Sequence, residues 1–214
     1  MAPGESFPDM LQDVANLEGA YRMLNNERVT AEALQQPHRA RTIERARQAS
    51  SIVVPHDTSD VQTPWADVEE VGRLNTGKAG YKAHISLALS VAPDRPVRPL
   101  GVLSFEPVFR TAPPRSKSKK KHSGAETARW KNKEYARWKR GIETAGKSLA
   151  GHPSVIHVAD READCFELFY LIERLNQGFV IRLRTDRRAR LNHEAEDEDE
   201  DDYDWSTLGK LASK

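Results

Sequence analysis

The chain has a single cysteine, Cys165, so it can hold neither an intrachain disulfide framework nor a cysteine-rich zinc site. Aromatic residues are scarce, at 7%, and hydrophobic residues make up only 38% of the 214 positions. That share falls short of the usual globular level, so part of the chain is expected to lie outside a packed core. No apolar run approaches the length of a membrane span; the longest compact stretch is Ile85 to Leu89 with its flanks. The first ten residues have no basic cluster followed by an apolar segment, which argues against a secretory signal. A reducing, cytoplasmic setting is the expectation.

Net charge is also nearly absent, at +1, but the charges are segregated. Between Arg115 and Arg140 eleven Lys or Arg residues face two acids, Glu126 and Glu134. Between Glu194 and Asp204 there are nine Asp or Glu residues and no Lys or Arg. Like charges at such density resist compaction, so both blocks are expected to be solvated.

Hydrophobic spacing supplies the elements. Met10, Val14, Leu17, Tyr21 and Leu24 recur every three or four positions, which predicts one helix with a buried face, ended by Asn25-Asn26. Thr30 is placed to cap a second helix, which Pro37 should end or interrupt, and a third could run from His38 to Ala49. Ile52-Val53-Val54 predicts a buried strand that finishes at Asp57. His84–Val91 and Val97–Phe105 predict two more. Ala125 to Leu149 reads as a long helix. Val155 to Ala159 is a strand that again finishes in a carboxylate, Asp160. A helix with Ala163, Phe166, Phe169, Tyr170 and Ile172 on one face follows, then a strand from Phe179 to Leu183. The pattern gives an α/β chain of the order β-β-β-α-β-α-β, with a helical segment over 1–49, a core over 50–190 and an acidic tail over 191–214.

Two aspartates at strand ends can stand side by side on a rigid sheet. Paired carboxylates suit Mg²⁺ or Mn²⁺, hard cations that take oxygen ligands. Spacing alone is weak evidence, because an aspartate after a strand more often caps a turn.

Asp57-Thr58-Ser59 and Asp160-Arg161-Glu162-Ala163-Asp164 resemble the first and second acidic motifs of DDE transposases, most closely the insertion-sequence-four family. The resemblance extends to Gly19-Ala20-Tyr21-Arg22, Asn25-Asn26, Val29 to Ala33, Gly80-Tyr81, His84, Glu134 and Trp138. It implies a ribonuclease-H-like mixed sheet, Asp57 and Asp160 as catalytic metal ligands, and DNA, both transposon ends and target, as partner. The family's third acid, a glutamate in a Tyr-Arg-Glu context, has no counterpart, and the N-terminal DNA-binding segment is expected to be missing or reduced to Met1 to Leu17. A chain cut short at both ends should perform little strand transfer alone. It could act as a homodimer or pair with a full-length transposase. The rival expectations are a non-enzymatic DNA-binding or inhibitory protein and a decayed gene product. His56 departs from the residue usual before the first aspartate.

The basic block offers a DNA-tracking surface: Lys119, Lys120, Lys121, Arg129, Lys133 and Arg137, with Arg161 beside the second motif. The plainer reading of such a run is a solvated helix face. Arg161 and Glu162 could equally form surface ion pairs, Asp164 could cap a helix, and His84 and His157 fit ordinary half-buried strand positions.

Overall fold

The computed structural model describes residues 6–11, 13–109, 124–186, 188–189 and 206–207. Two short helices come first, α1 (Phe7–Leu11) and α2 (Val14–Leu24), then α3 (Ala31–Ala46). The single helix expected from the Met10 to Leu24 spacing is broken at Asp13, whose carboxylate accepts from the Ala15 amide and caps α2. No residue of α2 is buried: Val14, Tyr21 and Leu24 all stand exposed, although the spacing predicted a buried face. An amphipathic pattern states which face is apolar, not that a partner covers it.

Thr30 caps α3 as expected, accepting from the Ala33 amide at 3.2 Å. Pro37 does not end this helix. A proline inside a helix removes one backbone bond, and contacts to the sheet hold α3 through that gap. Thr42 and Ala46 are fully buried, His38 Nε2 accepts from the Val102 amide, and Arg45 donates to the Leu100 carbonyl. Gly101, at φ +144, sits under Thr42 where any Cβ would collide with the hydroxyl.

The body of the molecule is a mixed five-stranded sheet in the order β3-β2-β1-β4-β5, so the architecture is α/β. Its strands are β1 (Ser51–Gln62), β2 (Gly80–Ala92), β3 (Arg95–Val108), β4 (Val155–Ala159) and β5 (Gly178–Ile181). A one-turn helix, α4 (Val68–Val71), lies between β1 and β2. The first three strands form an antiparallel meander, while β1–β4 and β4–β5 are parallel. The long helix α5 (Gly124–Ser148) bridges β3 to β4. A 3₁₀ turn (Arg161–Ala163) and α6 (Phe166–Arg174) bridge β4 to β5. A two-residue ladder, β6 (Arg188–Ala189) with β7 (Ser206–Thr207), follows.

Alternation assigns the two faces of the sheet. Ile52, Val54, Ala88, Leu100, Leu103 and Val155 pack with Ala46 of α3 and with Ala145 and Leu149 beside them. Trp138 and Ile142 of α5 pack with Ala159, Ala163, and Leu168 and Ile172 of α6. The apolar face of α6 therefore differs from the expected one, since Phe166 and Tyr170 are exposed and Leu168 is buried. On the opposite face Val53, Pro55, Ile85, Leu87, Ile156 and Val158 are only half-buried. Among the described residues no helix is long and apolar enough to cross a membrane.

Candidate functional site

Asp57 does not end its strand. The β1–β4 ladder stops at the pair His56–Ala159, while β1 continues against β2 as far as Gln62–Gly80. One step past that last parallel rung stand Asp57 on β1 and Asp160 on the exit from β4. Neighbouring strands lie about 4.8 Å apart, so the register sets the two aspartates level with each other on adjacent chains. Aligned positions of a parallel pair face the same side, and here that is the side bearing Val53 and Val158.

Both carboxylates are exposed, and neither pairs with a lysine or arginine among the described residues. Asp57 accepts from the Ser59 hydroxyl at 2.8 Å, and Asp160 from the Glu162 amide at 2.8 Å. Asp160 thereby caps the 3₁₀ turn, so the capping role weighed against it from the sequence is real and leaves its other oxygen open. Two unpaired, hard oxygen donors side by side fit one divalent cation. Among the described residues no group of three or more His, Cys, Asp or Glu side chains gathers around a common point.

Beneath Asp57, on the helix-covered face, lies a buried row of imidazoles. His56 Nε2 is 2.8 Å from His157 Nδ1, His56 Nδ1 is 2.8 Å from Ser86 Oγ, and His157 Nε2 is 2.7 Å from Gln177 Oε1. The His56 and His157 rings stack with centroids 5.1 Å apart, and His84 stacks on His56 at 6.4 Å. His84 meets the Trp138 ring edge-on at 4.8 Å and shares a 2.8 Å hydrogen bond with Thr58, the neighbour of Asp57. Burial pushes all three imidazoles below their ordinary range. For His84 the value is about 4, burial being helped by the Arg137 and Arg140 charges and opposed by Glu106 and Asp57. These rings are neutral near pH 7. Among the described residues His84 Nε2 and Trp138 Nε1 have no hydrogen-bond partner, and Gly141 of α5 comes so close that a Cβ there would lie 2.7 Å from His84 Nε2.

The remaining expected residues divide. Arg161 is exposed beside Asp160 and makes no ion pair among the described residues. Arg137 is not a surface cation: it is 4% exposed and reaches Glu162 at 3.4 Å, holding the motif's own glutamate. Its place on α5 turns it inward, which a count of basic residues does not reveal. Lys119, Lys120 and Lys121 lie outside the described residues, as do the side chains of Arg129, Lys133 and Glu134. Asp164 accepts from the Arg184 amide at 2.8 Å instead of capping α6, where Cys165 is the cap residue. Cys165 packs against the Trp138 cluster, and burial raises its thiol pKa.

His56, Ser86 and Gln177 carried no signal as single residues. A signal existed in the alternation: Ile52-x-Val54-x-His56 and Val155-x-His157-x-Ala159 each put a histidine on the same otherwise apolar face, His157 level with Val54 and His56 with Ala159.

Against known families, residues 1–29 match the one described as transposase DNA-binding. The match covers α1 and α2 and runs past the Met1 to Leu17 remnant expected from the sequence, taking in Gly19 to Arg22 and Asn25-Asn26. It supports a transposase, with DNA as the partner of this N-terminal segment.

Proposed function

We propose that the chain is the DNA-acting core of a DDE-type cut-and-paste transposase of the insertion-sequence-four kind, built on a ribonuclease-H-like sheet. Asp57 and Asp160 are its metal-holding carboxylates. The observation that carries this reading is the β1–β4 register, which sets the two aspartates level at the end of one parallel ladder. A divalent cation held by these two carboxylates, Mg²⁺ or Mn²⁺, would supply Lewis acidity toward a phosphodiester. The protein's own groups orient: Ser59 and the Glu162 amide each occupy one oxygen of a carboxylate, Arg137 restrains Glu162, and exposed Arg161 meets a DNA phosphate.

Calorimetric titration of the full chain with Mn²⁺ and Mg²⁺ tests the assignment. Binding should vanish in both Asp57→Ala and Asp160→Ala and survive in Asp94→Ala, which alters an exposed acid at the β2–β3 turn. Binding that ignores the first two substitutions would sink the metal assignment.

A second reading, a DNA-binding protein without catalysis, is favoured by the position of the family match, which lies wholly ahead of the sheet. It requires duplex DNA binding that falls steeply with salt and is indifferent to Asp57 and Asp160, together with no metal uptake.

A further inference from the structure

The polarity of the hydrogen-bond chain under Asp57 can be worked out from its far end. The Gly146 carbonyl of α5 can only accept, so the Gln177 atom 3.1 Å from it is the amide nitrogen. The Gln177 oxygen therefore faces His157 Nε2 and must receive a proton from it. In a neutral ring that leaves His157 Nδ1 as an acceptor, which takes the Nε2–H of His56. His56 Nδ1 is then an acceptor too, and the Ser86 hydroxyl donates to it. One arrangement satisfies each of these ring nitrogens, and it runs across β2, β1 and β4 to the residue just ahead of β5.

We propose that this directional chain positions Asp57 opposite Asp160, and that Gln177 is the positioning residue that sets its sense. The inference rests on the reading of the two aspartates as a metal-holding pair. Sliding β1 by one residue along β4 would turn His56 to the other face. Sliding it by two would carry the ring about 6–7 Å away. Either leaves buried nitrogens unpaired, a cost that apolar neighbours such as Val54 and Val155 do not impose. Each ring has one donor and one acceptor nitrogen, so the chain holds only while its sense is kept. Groups behind first ligands commonly act in this way.

The test uses the full chain with ¹⁵N-labelled histidine. Imidazole ¹⁵N spectra should show His56 and His157 as single Nε2–H tautomers. Gln177→Met, close in shape but without the acceptor, should mix the tautomers of both rings. It should also speed amide exchange around Asp57 and Ala159, leave the β2–β3 ladder unchanged, and weaken Mn²⁺ binding roughly tenfold. Gln177→Glu keeps an acceptor and should retain the tautomers. Ser86→Ala should loosen β1 and yet leave the tautomers intact, because Gln177 still sets them; a purely packing role would not separate the two ends. An Nδ1–H tautomer at either ring in the unaltered protein, or unchanged exchange in Gln177→Met, would overturn the proposal. If tautomers and exchange respond as expected and Mn²⁺ never binds, the metal reading fails and the positioning chain stands.

Discussion

The two faces of the sheet are built from alternating residues of the same strands, and they do opposite work. Ile52, Val54 and His56 go under α5 and are lost to solvent, while Val53, Pro55 and Asp57 stay within its reach. The covered face carries the apolar cores and a polar chain with defined partners. The other face carries two carboxylates bonded, among the described residues, only to their own local backbone or hydroxyl neighbours. A group that must meet a ligand cannot be tied down by its own side chain, so the restraint comes from the residue next to it, facing the other way.

That contrast can be broken most forcefully at Trp138, which is 2% exposed and joins α5 to His84. Trp138→Ala should cost about 3–5 kcal/mol in urea unfolding, far beyond any substitution on the open face.

Acid should attack the same face next. The folded pKa of His84 lies at about 4 against 6.5 unfolded, so the fold favours the neutral ring. Its contribution is whole above pH 6.5 and is lost as pH falls from 6.5 toward 4, while the unfolded chain takes up the proton first. About 3 kcal/mol should disappear across that window. His157, shifted the same way, adds to the slope. Thermal midpoints at pH 7.5, 5.5 and 4.5 measure it, and a flat profile would contradict the burial of these rings.

Neighbouring valines give a finer comparison. Val54→Ala should cost about 2 kcal/mol, and Val53→Ala, on the half-buried side, under about 1 kcal/mol. Smallest of all, Asp57→Ala should leave stability within about 0.5 kcal/mol while abolishing Mn²⁺ uptake. A large stability loss there would mean that Asp57 is itself part of the restraint.

Local pattern revealed much of the sheet, because β-branched runs such as Ile52 to Val54 and Val155 to Ala159 state their period in a few residues. The bounds were less legible. β1 runs on to Gln62 because β2 keeps pairing with it, a partner that Thr58 to Gln62 does not disclose. Pro37 announced a break that tethering by His38 and Arg45 prevents, and α2 announced a core that no described neighbour provides. At the site, Asp57 and Asp160 were readable as types, since each comes after a short β-branched run, although Asp57 lies inside β1 and only Asp160 follows its strand. Their alignment was not, because it is a property of register, and the histidine chain depends on it too. The inward turn of Arg137 depends on how α5 packs, which charge counts leave open.

The mixed sheet has a consequence in time. β2 and β3 meet across the tight turn Pro93-Asp94, and β1 joins β2 across 63–79, so this half closes over less chain than the crossover to β4. The parallel partner of β1 arrives only after α5, and long loop closure slows its docking. Asp57 therefore spends the early life of each molecule on a sheet edge without Asp160. Among the sheet's seams, the one along which the carboxylates meet spans the longest stretch of chain, so whatever delays β4 delays the site.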